Sequence, residues 1–352
     1  MKVCFFGNFL REYPRNEIMI QGLRHNGVEV VECNTRKRGL NKFIELYKKH
    51  KALNGDYDIL FVAFSGHAII WFARMLTKKK IVFDAFVSLY LTNIEDRETH
   101  SRHSLKARYY AFFDYISCKL SDAVLLDTQA QIQYFLERYK LDKNKFYRIF
   151  VGANENYFYP LKIQKKNNKI IVHWHGYIVP FNGIETIIQA ANILRQYKDM
   201  EFRIITRFNS AYEKIKIMAD SLELTNIIFF PEMNRKDLAR EIQESDICLG
   251  IFGDNKKAQV VIPNKIFEAV ACAKPVITAR HPSVLELFHD SEDMVLCAPH
   301  DPESLAKKIL TLRDKEIQKK IGENALHTFN GKLTTKILGE EVKKIIQKIY
   351  GS

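Results

Sequence analysis

Short apolar runs that close on a glycine recur along this chain, each leading into a polar loop and then a helical stripe. Lys2-Val3-Cys4-Phe5-Phe6-Gly7-Asn8 opens the first half, and Lys169-Ile170-Ile171-Val172-His173-Trp174-His175-Gly176 opens the second in the same way. Runs of this kind, with little polar alternation, are the pattern of strands covered on both faces, as in a parallel sheet. Amphipathic spacing predicts helices over 17–26 and 183–197, and the next apolar runs predict strands over 28–32 and 200–206. Further strands are expected at 59–63, 81–83, 123–126, 227–230, 247–251 and 275–278. Helices are expected between them, among them 130–139, 235–244 and 264–273.

This rhythm predicts an α/β fold of two facing Rossmann-like, doubly wound parallel-sheet domains. A cleft between them is expected, with ligands at the carboxyl ends of the strands. The 352 residues exceed what one ordinary core supports. We expect an N-terminal domain over 1–163 and a C-terminal domain over 164–332, with the lysine-rich stretch 161–169 as linker. The helical pattern over 333–352 is expected to pack back on the first domain.

Composition narrows the class. No run approaches ~18 consecutive apolar residues, so no membrane span is expected. The first residues enter a strand directly and lack the apolar core and cleavage site of a signal peptide. The six cysteines are scattered singly, which points to reduced core residues and a cytoplasmic location, with the inner membrane face as a second expected site. The formal charge of +13 is uneven: residues 1–165 hold 27 Lys+Arg against 17 Asp+Glu, a balance of +10. A basic half attracts nucleic acid, anionic headgroups or a phosphorylated acceptor, and equally serves as a solvated surface. No nucleic-acid motif accompanies the charge, so nucleic acid is not an expected partner.

The most informative segment runs Val260-Val261-Ile262-Pro263-Asn264-Lys265-Ile266-Phe267-Glu268-Ala269-Val270-Ala271-Cys272-Ala273-Lys274-Pro275. Pro263-Asn264 reads as a loop entering a helix, whose N-terminal N–H groups favour an anion. Lys265 adds a charge in the first turn, and Glu268 shares its face three residues later. A phosphate on Lys265 and a sugar or ribose hydroxyl on Glu268 suit a nucleotide-sugar site. Taken alone, the pair reads equally as a surface i, i+3 contact.

Pro263-Asn264-Lys265-Ile266-Phe267-Glu268-Ala269 with Lys274-Pro275-Val276-Ile277 resembles the donor-site helix of the family-4 retaining glycosyltransferases, of GT-B fold, in the branch reading P-N-K-x-[FY]-E. Ser245-Asp246-Ile247-Cys248-Leu249-Gly250-Ile251-Phe252-Gly253, the loop from Gly176 to Gly183, and Asp301-Pro302-Glu303-Ser304-Leu305-Ala306 resemble other stretches of that family. The similarity covers 165–330, and the first half follows the layout more loosely.

The resemblance implies that Lys265 and the N–H groups around Ile262, Pro263 and Asn264 hold a diphosphate, and that Glu268 binds ribose hydroxyls. It further implies that Gly176 and Asn182 line the phosphate loop, that Arg207 supplies a second cation, and that the backbone near Met233 meets the base. Three positions depart from the family pattern: Val260 stands where a second glutamate is common, and Tyr177 and Asn182 stand where Arg and Lys are common. The implied reaction retains anomeric configuration, with the leaving diphosphate taking the acceptor's proton and Lys265 and Arg207 stabilising the charge that develops. A hexosyl group from a UDP- or GDP-sugar would pass to a glycan or lipid-linked acceptor in surface polysaccharide or glycolipid assembly. The scheme needs no metal and no cofactor, the nucleotide-sugar being a substrate. Asp56-Tyr57-Asp58 has the look of a metal-binding D-x-D but reads as a turn before a strand.

On the acceptor side, Asn8 and Arg15 near the first strand end, His67 after Ser65-Gly66, and Asp84 in Ile81-Val82-Phe83-Asp84 are candidates to orient a hydroxyl, with Asp84 also a catalytic candidate. Loop bracing is an equal reading for each. His173 and His175 share one strand face and, with no carboxylate nearby in the motif, read as packing residues. Two stretches interleave aromatic and basic residues, 42–49 and 106–113; they fit helices on an anionic membrane or ordinary core faces with charged rims. The alternative reading of the whole chain is a non-catalytic GT-B subunit that binds a partner transferase, motivated by Val260, Tyr177 and Asn182.

Overall fold

The computed structural model describes residues 1–161, 163 and 168–351. In chain order the elements begin β1 (Lys2–Gly7), α1 (Pro14–His25), β2 (Glu29–Asn34), α2 (Asn41–Ala52), β3 (Ile59–Val62), α3 (Ile70–Leu76), β4 (Ile81–Phe86), α4 (Leu105–Leu120), β5 (Ala123–Leu126), α5 (Gln129–Tyr139) and β6 (Phe146–Arg148). They continue with β7 (Ile170–His175), α6 (Ile184–Ile193), β8 (Met200–Thr206), α7 (Ser210–Ser221), β9 (Ile227–Pro231), α8 (Arg235–Glu244), β10 (Ile247–Leu249), α9 (Lys256–Val260) and α10 (Asn264–Ala271). The chain closes with β11 (Val276–Ala279), β12 (Val295–Cys297), α11 (Pro302–Thr311), α12 (Lys315–Lys332) and α13 (Thr335–Tyr350).

The described residues form two six-stranded sheets, all of whose pairings are parallel. One is ordered β2-β1-β3-β4-β5-β6, the other β12-β11-β10-β7-β8-β9. The chain separates into two compact units: Met1–Gly152 with Leu333–Ser352, and Ala153–Lys332. The division falls at 152/153, earlier than the 163 expected from composition. The reason is local: Gln243 of α8 accepts from the Leu161 N–H at 3.1 Å, and its amide donates to the Tyr159 carbonyl, so this stretch packs with the second sheet. The stretch 161–169 expected as linker lies largely outside the described residues.

In the first unit, β1, β3, β4 and β5 are almost wholly buried, as their apolar runs require. Helix α13 buries Leu338, Val342, Ile346 and Ile349, one stripe at helical spacing, and the Thr334 hydroxyl caps its start. It packs on α1 through two glycines. A Cβ on Gly339 would stand 2.1 Å from the Gly22 carbonyl, so only glycine permits this crossing.

In the second unit, Trp174, Ile187, Ile188, Phe202, Ile204, Leu305 and Ile309 anchor the core between β7, β8, α6 and α11. Strands β8 and β10 flank β7, and the chain reverses its direction of travel across the sheet there. That reversal point leaves a crevice at the strands' carboxyl ends, the place where open α/β sheets bind ligands.

Candidate functional site

The loop leaving β7 is pressed against the loop leaving β10. Gly183 has φ +61°, and a Cβ there would meet the Gly253 nitrogen at 2.4 Å; one on Gly253 would meet the Phe181 carbonyl at 2.6 Å. The Phe252 N–H donates to the Asn182 carbonyl (3.0 Å) and the Gly253 N–H to that of Phe181 (3.2 Å). These bonds fix the loop that carries Asn182, whose amide nitrogen donates to the Tyr177 carbonyl at 2.7 Å.

Helix α10 is buried on all sides over Lys265–Ala271, which explains its apolar sequence. Pro263 begins it in extended conformation and no side chain caps it, so its N-terminal N–H groups keep their capacity for an anion. Ile262, just before, is buried and anchors the entry. Lys265 is buried too. Its ammonium donates to Asn182 Oδ1 at 2.8 Å and lies 4.1 Å from the centroid of the Trp174 ring. Trp174 is held in turn by its indole N–H on the Gly250 carbonyl (3.1 Å), across the reversal point of the sheet. Gly176, at φ +142°, leaves the space the lysine fills: a Cβ there would stand 3.1 Å from Lys265 Nζ. Burial pushes the Lys265 pKa well below its ordinary value, with the Glu268 charge opposing that shift.

Glu268 lies one turn further along α10, its Oε2 at 2.8 Å from His175 Nε2. His175 Nδ1 is 2.9 Å from His173 Nε2. The sequence reading of these histidines as packing residues is corrected for His175, whose carboxylate partner sits 93 positions on, where strand spacing gives no sign of it; His173 is buried in the core. A chemical group at a β7 carboxyl end was the available signal. Trp174 was missed for the same reason.

Arg207, at the end of β8, is exposed and bonded to Glu232 through its Nε (3.0 Å), with its guanidinium 5.1 Å from the Tyr177 ring centroid. The Tyr177 hydroxyl donates to the other Glu232 oxygen at 3.1 Å. Met233, itself half-buried, follows on the exposed loop between β9 and α8. Val260 is buried at the end of α9, so the position of the missing glutamate belongs to the core.

The first unit treats its candidates differently. Arg15 and Asp84 have no exposed surface. Arg15 Nε and Nη2 both donate to the Asp84 carboxylate (3.0 Å), and Nη1 donates to the Ile149 and Phe150 carbonyls at 2.6 and 2.9 Å. They form a brace among α1, β4 and the chain beyond β6, and present no atom to a ligand in this structure. His67 is enclosed as well, edge-on to Phe83, and burial lowers its pKa to about 4. Asn8 remains reachable, its amide donating to the Lys37 carbonyl at 2.6 Å, and it borders a cavity at the carboxyl ends of β1, β2 and β3. Asp56 and Asp58 are spent on Lys2, as a turn before β3. Among the described residues no cluster of three or more His, Cys, Asp or Glu is placed to hold a metal.

Residues 158–328 match the family described as Glycosyl transferases group 1. Over 322 residues the chain is 24% identical to an uncharacterized glycosyltransferase of Methanocaldococcus jannaschii, covering 87% of this chain and 78% of that protein. Among solved structures it is similar to a sucrose-phosphate synthase of Thermosynechococcus elongatus (TM-score 0.78, 12% identity, 100% of this chain and 99% of that one). It is also similar to HepE of Anabaena, solved with UDP and glucose (TM-score 0.73, 15% identity, 99% and 100%). The two-sheet architecture is the GT-B fold, and residues 158–328, most of the unit built on β7–β12, are similar to the Glycosyl transferases group 1 family.

Proposed function

We propose that the chain is a retaining, metal-independent hexosyltransferase that takes its sugar from a UDP- or GDP-sugar and passes it to a glycan or lipid-linked acceptor. The observation that carries the reading is Lys265, whose buried Nζ sits at an uncapped helix N-terminus with, among the described residues, an amide oxygen and an indole face as its partners. That arrangement suits a diphosphate, which would bring the missing negative charge. UDP is the first nucleotide to test, since HepE was solved with it.

In the reaction, the bond from the anomeric carbon to the diphosphate oxygen breaks and a bond to the acceptor oxygen forms on the same face. The acceptor's proton passes to the departing phosphate. Lys265 and the N–H groups of Asn264 and its neighbours stabilise the charge that develops there, an electrostatic contribution fixed in place before reaction. Arg207 would join by exchanging Glu232 for phosphate, and the backbone near Met233 would meet the base. The reading as a non-catalytic subunit is not favoured, because the family match spans the domain that would bind the donor.

An acceptor at a membrane surface is the further part of this proposal. Helix α3 packs between α2 and α4, and together they expose Ile44, Tyr47, Trp71, Met75, Tyr109 and Phe112. Lysines lie beside the rings, Lys42 at 4.9 Å from Phe43 and Lys106 at 5.3 Å from Tyr109. Aromatic and aliphatic groups with basic neighbours fit the headgroup region of an anionic bilayer. Among the described residues no helix is long and apolar enough to cross one. These features support action at the inner membrane face, in surface polysaccharide or glycolipid assembly.

The donor reading is tested by thermal shift with UDP, GDP, ADP and CMP on wild type and Lys265→Ala. A ligand at about 100 times its Kd adds roughly 2.7 kcal/mol of stability. A shift with one base that the variant loses is the expected result, and no shift with any nucleotide overturns the proposal.

A further inference from the structure

Strand β7 ends His173-Trp174-His175, so the two imidazoles share one face while the indole takes the other. The indole serves Lys265; the imidazoles lead to Glu268. The hydrogen-bond order along that line follows from the chemistry of the groups. A carboxylate only accepts, so His175 Nε2, at 2.8 Å from Glu268 Oε2, carries its proton. In the tautomer protonated at Nε2 alone, Nδ1 accepts, and His173 donates from Nε2 across 2.9 Å. His173 Nδ1 is left as a bare, buried acceptor with no partner among the described residues. Burial drives the His173 pKa well below its ordinary value, which keeps this ring neutral.

The arrangement holds one oxygen of Glu268 and leaves the other. Oε1 has no hydrogen-bond partner among the described residues and is not enclosed, so the carboxylate is clamped on the inside and open on the outside. An apolar residue at 173 would fill the same volume without an orphaned ring nitrogen, so packing alone does not account for a second imidazole in the core.

We propose that His175, oriented by His173, is a positioning residue that aims the free oxygen of Glu268 at the ribose hydroxyls of the nucleotide, and thereby sets the preference for ribo- over 2′-deoxyribonucleotides. The inference rests on the donor site proposed above. It adds that the preference belongs to a three-residue line, His173–His175–Glu268, rather than to the carboxylate alone. Outer groups that orient a ligand-binding group act in this way generally, by removing its wrong rotamers.

The test is the dissociation constant of UDP, GDP and ADP, each beside its 2′-deoxy analogue, by calorimetry on four proteins: wild type, Glu268→Ala, His175→Phe and His175→Gln. Wild type should prefer the ribose form by ~10–100-fold, the range of a hydrogen bond to a charged group. Glu268→Ala should erase the preference. His175→Phe should reduce it to within about threefold while leaving 2′-deoxy affinity unchanged, and His175→Gln, whose amide still donates, should restore most of it. If the Phe variant does not fold, His173→Leu carries the same test through the loss of the donor to His175. A full ribose preference in His175→Phe or His173→Leu, alongside its loss in Glu268→Ala, overturns the positioning role and leaves the donor site standing. A preference that survives Glu268→Ala overturns this inference and leaves the donor site standing, whereas no nucleotide binding in wild type overturns the donor reading and this inference with it.

Discussion

Arg15 in the first unit and Lys265 in the second are long basic side chains buried at the carboxyl side of their sheets, and the two are treated in opposite ways. Arg15 meets a carboxylate through two of its nitrogens and two backbone carbonyls through the third. Lys265 meets one amide oxygen and the face of an indole, with no carboxylate in contact. A buried charge is tolerated where it is paired and hydrogen-bonded. Arg15 satisfies that condition from inside the protein and needs no incoming anion to complete it. Lys265 falls short of it, and the shortfall is what an incoming anion would make good. The degree of internal satisfaction, more than burial or charge, separates the brace from the proposed binding site.

The comparison breaks most visibly at Asp84. Asp84→Ala leaves the Arg15 guanidinium buried without its carboxylate, and loss of one partner of a buried pair costs ~3–5 kcal/mol. Denaturant unfolding should show that loss, and Arg15→Met with Asp84→Leu together should be far milder than Asp84→Ala alone. Equal costs for the single and double variants would remove the distinction between the two cations.

Lys265→Met sharpens it from the other side. Replacing an under-satisfied buried ammonium by an apolar chain of similar length should leave the melting temperature equal or raised. Turnover should nevertheless fall ~10²–10³-fold, the usual cost of removing one group that stabilises transition-state charge. A variant that loses stability but keeps turnover would make Lys265 a structural residue like Arg15.

How far the sequence carried this picture depends on the separation of the partners. The i, i+3 spacing of Lys265 and Glu268 was legible because one helix holds both, and the strands were legible where apolar runs meet a glycine, as at Gly7 and Gly176. Edge strands β6 and β12 span three residues each and leave no period to read. The predicted helix over 264–273 stops at Ala271, because Ala273 turns to φ +55°. Asp84 looked like a candidate for catalysis since nothing local reveals Arg15, 69 positions away, as its partner. Asn182 stood as a lost cation in the phosphate loop; the fold shows it holding Lys265, across 83 positions. Long-range pairing decided each of these, and pairing of that kind is written in the topology rather than in any window of residues.

The smallest effect expected is a proton count. In the free protein burial holds the Lys265 pKa well below 10.5, while the unfolded chain keeps the ordinary value. Between those two values the unfolded chain binds more protons, so this residue makes the folded protein more stable as pH rises through that window. A diphosphate beside Lys265 favours the charged form and raises the pKa again, so the complex holds more protons than the free protein. Binding should therefore take up as much as one proton, and affinity should weaken with rising pH by at most about tenfold per unit within the window. Calorimetry at pH 8 and above, where phosphate's own titration near 6 is complete, in two buffers of different ionisation heat, reads the uptake directly. Lys265→Met should bind nucleotide weakly and with no proton uptake. Equal heats in both buffers for the wild type would mean that Lys265 is already charged in the free protein, and the contrast with Arg15 would then rest on geometry alone.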